Sequence, residues 1–184
     1  MRLSLVLPIL LLLTGCSGRP GEDLHAILDA KNLTAMCPWK TAGKDLVAAA
    51  RIKYVKEEGR TFYIRYIEVF DMTGGKAGHL FSTGEVGPVV NLYTLGEKGE
   101  PLVAVTRQGE NYRIIAYHYR GGKVEQVLDM GSQRQPEVLR TNDSDDPLLL
   151  VTDTQRHPWQ TFRLRWTGER FNLDKTALYP QRLR

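Results

Sequence analysis

Cys16 is the residue whose surroundings point most directly to a chemical modification of this 184-residue chain. It follows an apolar run from Leu3 to Leu13 and two small residues, Thr14 and Gly15. A helix of that length spans roughly 16 Å, about half of a bilayer core, so residues 1–15 are predicted to be a cleaved signal peptide and not a membrane span. The small side chains leave room for a protease to reach the peptide bond before Cys16.

The segment Leu13-Thr14-Gly15-Cys16 resembles the lipobox of bacterial lipoproteins. The resemblance implies that signal peptidase II cuts before Cys16, which then carries a thioether-linked diacylglycerol and an amide-linked acyl chain such as palmitate. Because one acyl chain gives only marginal membrane binding, two or three chains make the attachment effectively permanent. In the proteobacterial pattern, an Asp after the cysteine retains the protein in the inner membrane. Ser17 stands there instead, which implies an anchor in the outer membrane that faces the periplasm of a host with two membranes.

Cys37 is the second of the chain's two cysteines and the only free thiol once Cys16 is acylated. Two interpretations follow. The thiol either packs as a small hydrophobic group near Trp39, which the sequence favours, or it forms an intermolecular disulfide in an oxidising compartment.

The composition limits the classes of partner. The chain carries 25 Lys and Arg against 21 Asp and Glu, and charges of both signs are interspersed along it. This mixture indicates an ordinary soluble surface and predicts no nucleic-acid partner. After the anchor, no apolar stretch approaches the roughly 18 residues that a spanning helix needs. The expected partners are therefore the membrane, through the lipid, and a protein of the envelope.

Familiar catalytic and metal-binding motifs are missing from the sequence. It contains no Gly-x-Ser-x-Gly, no His-Glu-x-x-His, no phosphate-binding loop and no paired cysteines, and its four histidines are scattered. Asp143, Asp145 and Asp146 could gather oxygen ligands for a hard cation, but no glycine follows for the sharp bend, so a solvated turn is favoured. The sequence predicts no enzyme, no cofactor and no metal.

Arginine and tryptophan side chains gather near the C-terminal end of the chain. Arg163 and Arg165 alternate with Phe162, Leu164 and Trp166, and Trp159 lies just upstream. Arg and Trp supply much of the energy of protein interfaces, so Arg163, Arg165, Trp166 and Trp159 are a candidate partner surface. The alternative is a strand with a solvent-facing arginine face, which the sequence favours.

The elements that hold these residues fall into four segments. Cys16 with residues 17–21 forms a lipidated tether. Residues 22–43 are predicted to form a short helix, Glu22 to Lys31, and a connector, because Leu24, Ile27 and Leu28 fall on one stripe. Residues 44–184 are predicted to form a domain of β-repeats.

The repeats are indicated by landmarks at a nearly constant spacing. Pro101 and Pro147 lie 46 residues apart, as do Gly122 and Gly168, and Pro88 lies 48 residues before Pro136. Two units follow from this spacing, Pro88–Met130 and Pro136–Leu178, with a degenerate unit before them. A period in the forties with about four strands per unit is typical of propeller blades.

Residues 45–178 resemble the repeats of integrin-type (FG-GAP or VCBS-like) propellers. The shared pattern is a polar turn, then Pro-Leu-Val-Ala-Val or Pro-Leu-Leu-Leu-Val, then a strand that ends in Gly-Gly-Lys in one unit. The resemblance implies a mostly β fold of antiparallel, four-stranded, propeller-like blades. Since three units are fewer than the usual four to eight, the ring would be incomplete or open. A β-sandwich and an up-and-down barrel are the alternatives.

These features together predict a class of function. We expect a lipoprotein that acts as an interaction or scaffolding module of the envelope. The alternative is a β domain on a lipid anchor that binds a glycan, a lipid or a metal ion. An enzyme whose residues meet only in the folded chain comes third.

Overall fold

Three four-stranded antiparallel sheets make up a computed structural model that describes residues 31–41, 43–96, 101–141, 144–153 and 160–178. The first sheet contains β1 (Leu33–Thr41), β2 (Lys44–Glu57), β3 (Arg60–Asp71) and β4 (Gly78–Ser82). The middle sheet contains β5 (Val89–Thr94), β6 (Leu102–Gln108), β7 (Asn111–Arg120) and β8 (Lys123–Ser132). The third sheet contains β9 (Glu137–Thr141), β10 (Ser144–Asp153), β11 (Gln160–Trp166) and β12 (Phe171–Leu178). The prediction of a mostly β chain is confirmed.

Each sheet is a meander in which neighbouring strands follow one another along the chain. The middle and third sheets coincide with the predicted units Pro88–Met130 and Pro136–Leu178, and the first sheet is the degenerate unit. All strand pairings of the described residues run within a sheet, so these strands form three separate sheets instead of one up-and-down barrel.

The N-terminal part of the sequence prediction is not supported. The predicted helix, Glu22–Lys31, lies outside the described residues except for Lys31, which lies in a turn, and the described residues contain no helix. The predicted connector up to residue 43 contains β1, which pairs with β2 from Leu33 to Thr41. The first sheet therefore starts ahead of the expected boundary at residue 44.

The middle sheet is buried on both faces, which explains its continuous apolar strands. Leu102, Ala104, Ile115 and Tyr117 pack against the first sheet, together with Trp39. Val103, Val105, Ile114 and Ala116 pack in a second cluster against the third sheet, which contributes Leu149, Val151, Leu164 and Trp166. Successive residues of β6 and β7 thus face opposite neighbours, as the alternation of a strand requires.

The hairpin of β2 and β3 is longer than the rest of its sheet. β1 pairs with β2 only as far as Arg51, and the next contact on this side is the Ile52 N–H, which donates to the Asn32 carbonyl at 2.9 Å. On the other side, the Val86 N–H donates to the Arg65 carbonyl at 2.8 Å. We define the ribbon as residues 53–57 of β2 and 60–64 of β3, which pair only with each other among the described strands.

Candidate functional site

The ribbon is the part of the described chain with the densest exposure of large apolar side chains. Tyr54 is 53% exposed, Phe62 46% and Tyr63 53%. The rings of Tyr54 and Tyr63 meet edge to face with their centroids 5.2 Å apart. Exposed apolar groups that contact each other, as Tyr54 and Tyr63 do, mark contact surfaces more often than isolated ones do.

The ribbon carries apolar side chains on both of its faces. Tyr54 lies opposite Tyr63 on one face, and Val55 lies opposite Phe62 on the other. Lys53, Lys56 and Arg60 are exposed beside them, and Glu57 and Glu58 stand at the tip. The tip turns at Glu58 and Gly59, whose φ angles of 49° and 75° are those of a tight hairpin turn.

The structure places Trp166 and the two arginines of the predicted partner surface on opposite faces of β11. Leu164 and Trp166 face the middle sheet, where Trp166 is 8% exposed and contacts Phe171 and His118 at centroid distances of 5.1 and 5.0 Å. Arg163 and Arg165 lie on the opposite face of β11, as its alternation predicts. Trp159 lies outside the described residues.

Asp174 holds the two arginines. Its carboxylate forms an ion pair with the Arg163 guanidinium, and the Arg165 Nε lies 3.4 Å from its Oδ1. Burial raises the pKa of Asp174, but the hydrogen bond and charge of Arg163, with those of Arg165, outweigh it, so that the pKa falls below its usual value. The arginine face is therefore neutralised in part by its own sheet.

A serine, a histidine and a carboxylate meet on the first sheet without a signal in the sequence. Ser82 Oγ lies 2.8 Å from His79 Nε2, and Glu68 Oε1 lies 3.8 Å from the same nitrogen. A catalytic triad needs the acid at the other ring nitrogen, where it orients the imidazole. Arg51 instead holds Glu68 in an ion pair of 2.8 Å. The arrangement is that of a surface polar cluster, assembled across β2, β3 and β4.

Cys37 is buried in the cluster between the first and middle sheets, which also contains Trp39. The residue is 8% exposed, and its thiol donates to the Pro38 carbonyl at 3.3 Å. Burial raises the pKa of Cys37 to about 11, against a smaller lowering by the Thr94 backbone. This environment favours the packed thiol over the intermolecular disulfide.

Several predicted sites fall outside what the structure describes. Cys16 and Asp143 lie outside the described residues, as do the side chains of Asp145 and Asp146. In the described ranges, no group of three His, Cys, Asp or Glu residues could hold a metal ion. The same ranges contain no helix long and apolar enough to cross a membrane.

Comparison with known proteins finds no family model, no curated protein and no solved structure that matches the chain. The resemblances to the lipobox and to integrin-type repeats therefore stay predictions from the sequence.

Proposed function

We propose that this chain is a lipid-anchored interaction module of the bacterial envelope, attached through Cys16 to the outer membrane and acting on a protein partner in the periplasm. The observation that carries the proposal is the ribbon, which exposes Tyr54, Phe62 and Tyr63. Large aromatic side chains supply much of the binding energy at protein interfaces, because they bury a large area at a small entropic cost. A ribbon with apolar groups on both faces can enter a concave partner surface and bury both.

The position of the ribbon suits a module that is anchored at its N-terminal end. β1 begins at Leu33, opposite Arg51, at the end of the first sheet from which the ribbon extends. A chain attached through Cys16 enters its first sheet there. The ribbon and the N-terminal segment that leads from the anchor then lie at the same end of the first sheet.

The scaffold of this proposal is an open, propeller-like stack in which the three sheets are the blades. Contacts of β1 with β5 and of β4 with β8 support it for the first and middle sheets, since both join equivalent strands of these two units. The third sheet contacts the middle sheet through β10 and β8. Arg120, at the end of β7, forms an ion pair of 3.1 Å with Glu169 in the turn after β11. Stacked sheets of this kind form a rigid body whose hairpins and turns make the contacts.

The arginine face of the third sheet enters the proposal as a second contact surface. The Arg165 side chain is 34% exposed while it pairs with Asp174. An arginine held in this way can bind a further carboxylate, to which it donates hydrogen bonds, with little additional loss of side-chain conformational freedom.

Affinity capture from the native envelope tests the function. A variant with Tyr54→Ala, Phe62→Ala and Tyr63→Ala is compared with a control that carries Val90→Ala, Val138→Ala and Leu173→Ala, which are also exposed apolar residues. We expect the unmodified chain and the control to capture the same partner, and the ribbon variant to capture about tenfold less of it, or still less. Equal capture by all three proteins would remove the ribbon from the proposal.

Metabolic labelling with palmitate tests the anchor separately. Labelling is expected to disappear in Cys16→Ala and to persist in Cys37→Ala. Label that survives in Cys16→Ala would rule out the anchor without affecting the role of the ribbon.

A further inference from the structure

The β2 edge of the ribbon carries backbone groups that no strand of the described chain pairs with. β1 begins at Leu33 after a turn at Lys31 and Asn32, so that within the described residues the contact at Ile52 is the last one along this edge. The Ile52 N–H points to this edge, since it donates to Asn32. Backbone direction alternates along a strand, so Tyr54 and Lys56 direct their N–H and C=O groups to the same edge. An unpaired edge of this kind is a template for another strand.

We propose that this edge pairs with the same edge of a second copy of the chain, antiparallel and about a twofold axis at Val55. Tyr54 then lies opposite Lys56 of the second copy, and these two residues exchange backbone hydrogen bonds. Val55 lies opposite Val55 of the second copy, as a pair without backbone hydrogen bonds between them. The pairing satisfies the rule that only residues directed to the edge bond across it, and it is isologous, as a twofold dimer requires.

Charge complementarity selects this register. With the axis at Val55, Lys53 lies opposite Glu57 of the second copy on the same face, and the symmetry repeats the pair. A shift of the axis to Lys56 places that residue opposite itself, where like charges repel. A shift to Tyr54 leaves Lys53 opposite Val55 without a partner. The segment Lys53–Glu57 is therefore complementary to itself in one register among those that the backbone allows.

Both faces of the paired ribbons gain contacts. Phe62 is paired with Val55 within each ribbon, so one face carries a row of Phe62, Val55, Val55 and Phe62 across the two copies. On the other face, the Lys56 ammonium of one copy stands beside the Tyr54 ring of the second copy, a favourable arrangement of cation and aromatic ring. Tyr54 keeps its contact with Tyr63. The dimer thus doubles the aromatic surface offered to a partner and does not depend on the lipid anchor.

Disulfide trapping of the full chain in its native envelope tests the pairing. A pair without backbone hydrogen bonds places its Cα atoms about 4.5 Å apart, within the range that a disulfide spans. We expect Val55→Cys to give a disulfide-linked dimer on oxidation. The matched control is Phe62→Cys, on the opposite edge of the same ribbon, which should stay monomeric. Three outcomes would overturn the proposal: dimers from Phe62→Cys alone, no dimers from either variant, or a disulfide that links Val55→Cys to a different protein.

A charge exchange then tests the register in the purified protein by sedimentation. Lys53→Glu is expected to weaken dimerisation by about tenfold or more, because two attractive pairs become repulsive. Combining it with Glu57→Lys should restore the dimer, since the pairs re-form with their charges exchanged. The control is Lys76→Glu, an exposed charge in the β3–β4 turn, which should leave the dimer unchanged. A double variant as weak as Lys53→Glu contradicts this register, and circular dichroism checks that each variant folds.

Discussion

Burial controls the chemistry of Cys37. The thiol lies between two sheets, and its pKa is raised to about 11 because the thiolate would lose its hydration there. We expect a thiol reagent at pH 8 to modify Cys37 in folded Cys16→Ser at least about 100 times more slowly than in the same protein in denaturant, since the thiolate is the reactive form. The reaction is followed by absorbance or mass spectrometry. Equal rates in the two states would show that the thiol is accessible.

The Lys44–Asp71 pair gives stability that depends on pH. Lys44 Nζ lies 2.6 Å from Asp71 Oδ2, and the Thr73 N–H donates to Oδ1 at 2.8 Å. The hydrogen bond from Lys44, with those from Thr73, lowers the pKa of Asp71 to about 2. Since the folded-state pKa lies below the unfolded value of about 3.9, the stabilisation is present above about pH 4 and is lost as the pH falls towards 2.

Thermal unfolding of Asp71→Asn checks this dependence. We expect the variant to melt below the unmodified chain at pH 6 and the two melting temperatures to converge near pH 2, because protonation removes the same charge from Asp71. Glu110→Gln, in the exposed β6–β7 turn, is the control and should follow the unmodified chain throughout. A gap that persists at pH 2 would assign the loss to packing instead of charge.

Individual residues also show how far the sequence could predict the candidate surfaces. The alternation in β11 correctly predicted that Arg163 and Arg165 share a face. It could not identify Asp174 as their partner, because β12 brings this residue back only through the hairpin. The charged residues Lys56, Glu57 and Glu58 are typical of a loop, so the sequence alone does not show that β2 extends to Glu57. Exposed charges are also compatible with a pair of strands that water surrounds, and the pairing of Val55 with Phe62 shows that β2 and β3 continue through this segment.

Among the elements, β1 was missed for a different reason. Leu33–Thr41 lacks a regular alternation and contains Pro38, which argues against a central strand. β1 is an edge strand of the first sheet. A proline is tolerated at an edge where the N–H that it lacks would point to the unpaired side, because no hydrogen bond to a neighbouring strand is then lost. The strands of the other two sheets were predictable because Pro and Gly punctuate them at a constant period.

The connection between β4 and β5 depends on Gly87. A Cβ at this position would lie 2.3 Å from the Arg107 carbonyl oxygen, and the backbone is held there by the Arg107 N–H, which donates to the Pro88 carbonyl at 2.8 Å. We expect Gly87→Ala to lower the free energy of unfolding by about 1–3 kcal/mol, the usual cost of overpacking. Denaturant titration measures it.

Gly84→Ala is the matched control, three residues upstream in the same connection. A Cβ there meets nothing within 4 Å, so the free energy of unfolding should change by less than about 0.5 kcal/mol. Equal effects of the two substitutions would mean that the close approach at Gly87 does not constrain the connection.

At the scale of the whole molecule, the middle sheet is the structural centre, because both of its faces are covered while each outer sheet meets it on one face. The continuous apolar run Leu102–Val105 agrees with this central position, but the similar run Leu148–Val151 lies in the third sheet, so the runs alone could not identify the central sheet. The sequence could not show how the outer sheets are placed, because their contacts depend on which alternate residues face inward. In a stack of this kind, stability is approximately a sum of contributions from each sheet and each interface.

The stacked arrangement predicts that damage at one interface stays on one side of the molecule. Trp39 is fully buried between the first and middle sheets, and Trp166 lies between the middle and third sheets. Replacing a buried Trp by Ala costs about 3–5 kcal/mol through lost contacts and a cavity. In hydrogen exchange, Trp166→Ala should therefore lower the protection of β10 and β11 more than that of β2 and β3, and Trp39→Ala should do the reverse. The middle strands β6 and β7 should stay the most protected in both variants. A uniform loss of protection in all three sheets would instead show that the chain unfolds as one cooperative unit, in which the interfaces are not separable.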